Sequence, residues 1–244
     1  MRKKQSDTDA DKGIRDRRAM VILGFDCAGK TLSAGLLADD GFYAAEACGG
    51  RKHSECIMDM ADYLLVTAGI RPRELSAVAC MKGPGSFTGL RIGFAAAKGL
   101  SLSLDIPLVA IPTLDCMAHS HSSFPGLVVP LIDAKKNSYF TALYRGGKAL
   151  GPCLDAGLDT IASVIAENIK RDEYVLLTGA EDALPFLSGA LPGKITADPC
   201  GERGRARELL NRAKASILIG NQGFQSHDEG PLYIRKSDAE LNVV

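Results

Sequence analysis

Gly24 to Thr31 reads GFDCAGKT and satisfies G-x-x-x-x-G-K-[ST], the loop whose backbone amides cradle phosphates. That chemistry needs a helix to begin at Gly29-Lys30-Thr31, because the free N–H groups of a helix start hold the phosphate oxygens. Here Leu32, Ala34 and Leu36 instead alternate with Ser33 and Gly35, which is the period of a strand. The expected structure is a tight turn between two strands with Gly29 at the bend, and the match to the phosphate loop is a coincidence of letters. Two carboxylates offer a second possibility, since VILGFD ends at Asp26 and GLVVPLID ends at Asp133. They could face a common cleft, binding a metal–nucleotide or acting as a base, or they could cap the adjacent turns. An enzyme built this way would be a nucleotide-dependent ATPase or kinase using Asp26, Lys30 and Asp133. Ser86 lies between Gly85 and Phe87, outside the G-x-S-x-G of a nucleophile elbow. Of the four histidines, His53, His119, His121 and His227, none forms an H-x-x-x-H or H-E-x-x-H pair, so surface or capping positions are expected for them.

The elements that must position these groups begin with three strands. Residues 21–25, TLSAGLLA at 31–38 and FYAAEA at 42–47 follow one another, with Asp40-Gly41 as a hairpin turn. From His53 to Ala68 the period becomes helical: Ile57, Met60, Ala61, Leu64, Leu65 and Ala68 recur at intervals of three and four. Gly69 ends that helix and Pro72 follows. A buried strand at 77–81 leads into KGPGSFTGLRIG. There Gly83-Pro84-Gly85 turns the chain and Ser86 or Thr88 caps a helix running to about Leu104. Strand PLVAI closes this half. A second half repeats the order with 126–133, SYFTALYR at 138–145, a Gly146-Gly147 turn, a strand near Leu150 and YVLLTG at 174–179. Helices are expected at 159–170, 180–188 and 206–218. Two similar α/β subdomains facing each other across a cleft are implied, divided as 20–112 and 113–244.

Between Ile92 and Leu104 this last helix of the first half carries one charged residue, Lys98, and is otherwise apolar or small all round, so both of its sides should be covered. Ile92, Ala95, Ala96, Gly99 and Ser103 form one face, and Leu90, Phe94, Ala97, Ser101 and Leu104 the other. One should meet the sheet and the other either a partner chain or further residues of this same protein.

Charge balances at 29 basic against 29 acidic residues, which gives no electrostatic case for nucleic acid as the primary partner. Arg203, Arg205, Arg207, Arg212 and Lys214 read as a solvated helix face. Seven cysteines without a C-x-x-C pair read as reduced thiols of a cytoplasmic protein. No apolar run reaches the ~18 residues that span a bilayer. Residues 1–19 are almost wholly polar and are expected to be disordered, with Met20 a candidate translation start.

The run GPGSFTGLRIG, comprising Gly83, Pro84, Gly85, Ser86, Phe87, Thr88, Gly89, Leu90, Arg91, Ile92 and Gly93, resembles the signature of the TsaB family of tRNA threonylcarbamoyladenosine biosynthesis proteins. In order along the chain, VILGFD, HSE at 53–55, PLVAIPTLD at 107–115, LIDAKKNSYFTALY at 131–144 and PLYIRKSD at 231–238 are similar to further family segments. The resemblance implies an actin-like/Hsp70-like ATPase-domain fold of two subdomains. It also implies a non-catalytic scaffold that pairs through N-terminal helices with the metal- and nucleotide-binding TsaD-type transferase, is joined by a TsaE-type ATPase, and meets tRNA only through the complex. No cofactor or metal of its own is implied, and no protease chemistry accompanies the family's older glycoprotease label. Asp26-Cys27-Ala28 and Lys135 stand where the family's usual Asp-Thr-Ser and an arginine would be. The expected docking face is Cys56, Asp59, Tyr63 and Val66 on the first helix with Leu90, Phe94, Ala97 and Ser101 on the second. Without the paralogue the same face would form a homodimer.

Overall fold

The computed structural model describes residues 20–38, 41–48, 53–191, 195–220, 225–226 and 228–234. The polar segment 1–19, Asp40 of the expected turn, His227 and the closing motif from residue 235 lie outside the described residues.

The first sheet is built from the alternation that argued against a phosphate loop. Strands β1 (Ile22–Asp26), β2 (Leu32–Ala38) and β3 (Gly41–Ala47) form an antiparallel ladder, so Thr31 leads directly into a strand that starts one residue later than expected, at Leu32. Strands β4 (Ala77–Gly83) and β5 (Leu108–Pro112) add in parallel, giving the order β3-β2-β1-β4-β5. Two crossover helices, α1 (His53–Ala68) and α2 (Phe87–Leu104), lie on one face and bury their apolar sides against Leu23, Phe25, Ala34 and Cys80. The α1 residues buried there are Cys56, Ile57, Met60, Ala61, Leu64 and Leu65, close to the stripe its period predicts.

After helix α3 (Thr113–His119) the second sheet repeats the plan. Strand β6 (Leu127–Asp133) pairs antiparallel with β7 (Tyr139–Thr141), on whose far side β10 (Leu154–Ala156) lies, while β11 (Val175–Gly179) and β12 (Ile195–Ala197) add in parallel. The order β10-β7-β6-β11-β12 matches β3-β2-β1-β4-β5 strand for strand. A small hairpin of β8 (Tyr144–Arg145) and β9 (Lys148–Ala149) turns at Gly146-Gly147 and hangs on β6. The stretch 138–145, expected as one strand, is therefore two. Leu131 pairs with Thr141 and Val128 with Tyr144, so one register runs through the gap and sets Ala142 opposite Pro130, which has no N–H to donate. Helices α4 (Leu158–Asn168) and α5 (Leu184–Ala190) cover this sheet through Ile161, Ile165 and Leu187. A short 3-10 turn at Glu181–Ala183 occupies the start of the helix expected at 180–188.

Helix α6 (Ala206–Leu218) forms where its pattern placed it but not in the expected half. The division at residue 113 put it with the second subdomain. Leu209, Leu210 and Ala213 instead bury against Ile22, Ala77, Ala79, Val109 and Ile111 on the open face of the first sheet. Room for it comes from Gly24 and Gly35, direct partners across β1 and β2. A Cβ at either would lie within 2.9 Å of a Leu210 methyl. The first glycine of the apparent phosphate loop thus clears a groove for a helix.

Candidate functional site

The two lobes enclose a cleft of ≈ 900 Å3, and Asp26, Lys30 and Asp133 all line it. The sequence had left open whether the two aspartates face a cleft or cap turns, and here they do both. Asp26 Oδ1 accepts from Ala28 N at 3.0 Å and Oδ2 from Arg205 N at 2.9 Å. Burial pushes its carboxyl up, against the pull of those two amides and the Arg205 charge. Asp133 Oδ1 accepts from Lys135 N at 2.7 Å and Oδ2 from Lys135 Nζ at 2.6 Å. That lysine bond holds its carboxyl below the usual range. Lys30 Nζ reaches Glu202 at 2.6 Å, and both side chains are exposed. Each group that a nucleotide-dependent enzyme would use therefore already has an internal partner. Among the described residues no cluster of three metal-ligating side chains forms.

A buried polar network beneath the cleft floor was invisible in the sequence. The Arg205 guanidinium donates to Thr178 Oγ1 at 2.9 Å and to Gly201 O at 3.0 Å, and lies 3.5 Å from Asp198 Oδ2. Asp198 also accepts from Thr178 Oγ1 at 2.9 Å and from Cys200 N at 2.9 Å, and pairs with His121 at 3.0 Å. Burial raises its carboxyl, but those partners and the neighbouring charges outweigh it and the net shift is downward. Arg205 is only 8% exposed, which corrects its assignment to a solvated face. Two of its neighbours in that run are also engaged, Arg207 over the Phe42 ring and Arg212 with Asp115. The one available signal was position: Arg205 immediately precedes the helix, where a backbone N–H needs an acceptor.

The glycine signature has a mechanical role. Ser86 caps α2 by accepting from Gly89 N at 3.2 Å, and its own amide donates to Ala28 O at 2.8 Å. The first turn of α2 is pressed on the β1–β2 turn: a Cβ at Gly85 would sit 2.7 Å from Ala28 O, and one at Gly89 would run into Cys27 O. Gly93 faces the Cys27 thiol. Gly83 ends β4 at φ 108°, with Leu232 O 2.6 Å from where its Cβ would be. Two of the amides that a phosphate cradle would offer here, those of Ser86 and Gly89, are spent on the protein itself. Phe87 and Arg91 receive the closing segment: Arg91 stacks 3.9 Å over Phe87 and donates to Tyr233 Oη at 3.0 Å, and the two rings are 5.0 Å apart. Thr88 is exposed.

The helix pair corrects the expected docking face. Leu90, Phe94, Ala97 and Ser101 are 2%, 3%, 0% and 1% exposed, so this side of α2 is the core side. Cys56 is also buried. The physical reason is size: burying a leucine or phenylalanine removes far more apolar surface from water than burying alanine or glycine, about 1.5–3 kcal/mol for each large side chain. The bulky face therefore took the sheet. What remains outside is Asp59, Tyr63 and Val66 of α1, joined by Met58, and the side of α2 bearing Ala95, Gly99 and Leu102.

The family model for TsaD, tRNA N6-adenosine threonylcarbamoyltransferase, matches residues 45–185. The Bacillus subtilis tRNA threonylcarbamoyladenosine biosynthesis protein TsaB is 39% identical over 231 residues, covering 92% of this chain and 98% of that protein. The solved structure of YeaZ from Pseudomonas aeruginosa superposes with a TM-score of 0.71 at 21% identity, over 88% of this chain and 100% of that one. A Bacteroides thetaiotaomicron protein with an actin-like ATPase fold gives a TM-score of 0.50 at 8% identity, covering 84% and 99%. The two sheets of matching order are this fold. Similar in sequence almost from end to end to the Bacillus subtilis protein, the chain belongs to the TsaB family of tRNA threonylcarbamoyladenosine biosynthesis proteins.

Proposed function

We propose that this chain is a non-catalytic partner subunit in tRNA threonylcarbamoyladenosine synthesis, docking and supporting a TsaD-type transferase through the outer side of α1 and α2. The observation that carries this is the exposed apolar stripe on that helix pair. Tyr63, Val66, Met58 and Leu102 are 62%, 81%, 42% and 59% exposed, and Ala95 and Gly99 beside them permit close helix approach. A patch of this kind marks a protein–protein contact when it is contiguous. The internal satisfaction of Asp26, Lys30 and Asp133 supports a supporting role rather than chemistry in its own cleft. A TsaE-type ATPase joins the assembly, tRNA is met through the complex, and the free chain self-associates through the same stripe.

Size-exclusion chromatography with light scattering, on the protein alone and mixed with the TsaD-type paralogue, tests this. A heteromeric species is expected for the native chain, and Tyr63→Glu with Val66→Glu should abolish it while circular dichroism stays unchanged. Phe94→Glu is unsuited to this purpose, because that ring is in the core. Undiminished association of the double variant would overturn the docking face. ATP hydrolysis by the isolated chain that disappears in Asp26→Asn would replace the scaffold reading with the enzymatic one.

A further inference from the structure

Loop 198–205, between β12 and α6, carries the chain from the second lobe back to the first. On the second-lobe side it is fastened by Asp198 N to Leu177 O at 2.7 Å and by the Arg205 and Asp198 bonds to Thr178. On the first-lobe side Arg205 N donates to Asp26 Oδ2 at 2.9 Å, Thr31 Oγ1 donates to Glu202 O at 3.0 Å, and Lys30 pairs with Glu202 at 2.6 Å. Gly204 is pressed against Ser33 of β2, with no room for a side chain. Asp26, Thr178, Asp198 and Arg205 are all under 9% exposed.

We propose that this loop is a clasp that fixes the angle between the two lobes, with one residue, Arg205, bonded by its amide to the end of β1 and by its guanidinium to the second sheet. Two-lobed α/β proteins open and close by letting a few residues of a connecting loop absorb φ/ψ change. A connection whose amide and side chain are tied to opposite lobes cannot do so without breaking buried bonds to charged groups. Each such bond lowers the open population about tenfold or more. The cleft therefore keeps one aperture in the free chain, and Asp26 serves as an anchor point of the frame. This differs from the docking proposal, since it concerns the lobe angle and no partner.

Hydrogen exchange of the full chain, read by mass spectrometry at peptide level, tests it through changes made in the second lobe and read in the first. Thr178→Val and Asp198→Asn touch no residue of the β1–β2 turn. Each is expected to speed exchange of the 26–31 peptide by at least about tenfold, together with 198–205, while the cores of β4 and α4 keep their protection. Acceleration confined to 176–205 would show a local role and overturn the clasp. A uniform rise in both lobes would show general core support and overturn it equally, as would no change. Should neither variant fold, Glu202→Gln breaks only the outer tie at an exposed position. It should then speed the 26–31 peptide about twofold, and an unchanged rate there would refute the proposal.

Discussion

Asp26 and Asp133 occupy equivalent places in two sheets of the same strand order. Each ends the central strand, and each accepts from the amide two residues on, at 3.0 and 2.7 Å. Their environments nevertheless push the carboxyls in opposite directions. Asp26, 4% exposed, is covered by the loop before α6 and raised by burial, whereas Asp133 is open to solvent and lowered by Lys135. The local turn is therefore a property of the residue type, and the electrostatics are a property of what the rest of the chain lays over it. The strands β4 and β11 repeat the lesson. Both end in a glycine at φ 108°, but Gly83 makes room for the closing segment at Leu232 and Gly179 for Leu131 of its own sheet.

The largest effects are expected at the glycines. Gly89→Ala drives a methyl into Cys27 O, and Gly179→Ala combines a collision with Leu131 O with a backbone conformation that side chains rarely adopt. Each should cost more than about 3 kcal/mol in urea unfolding. A loss below about 1 kcal/mol at Gly89 would mean the signature is not pressed on the turn. Next in size is the aspartate pair itself. Asp26→Ala leaves two buried amides without acceptors and should cost about 2–4 kcal/mol, whereas Asp133→Ala at an exposed site should cost less than about 1 kcal/mol. Equal losses would mean that the two carboxylates are held alike.

The pH dependence sharpens it further. Asp133, with its folded carboxyl lowered, contributes stability that is present above the unfolded carboxylate range and is lost as pH falls through its folded value. Asp26, with its folded carboxyl raised, contributes stability at low pH that is lost as pH rises through its folded value. Subtracting the Asp133→Asn and Asp26→Asn curves from that of the native chain should give slopes of opposite sign across the acid range. The smallest effect is expected at the exposed Lys30–Glu202 pair, where Lys30→Met should change stability by no more than about 0.5 kcal/mol.

Much of the fold was legible because it follows local periodicity. The alternation at 32–36 argued for β2 over a helix, and the three-and-four spacing from Ile57 to Ala68 gave both α1 and its buried face. The repeat of two lobes was readable from two strands ending in aspartate. What failed were decisions between equally patterned alternatives. Helix α2 is apolar on both sides, so its pattern alone could not say which side meets the sheet; the bulk of Leu90 and Phe94 settled that only against the actual sheet. Helix α6 shows a clear amphipathic period, but periodicity does not name the surface it covers, and Gly24 and Gly35 acquire their meaning only once Leu210 is set between them.

The sequence by itself determined the strand and helix types, the glycine signature that marks the family, and the presence of an aspartate at the end of each central strand, because these depend on residues within a few positions of each other. Tertiary structure decided which face of α2 is free, which aspartate is buried, and that Arg205 joins two lobes instead of facing water. Those outcomes depend on contacts such as Asp26 with Arg205, far apart in the chain, whose energies exist only when the lobes are assembled.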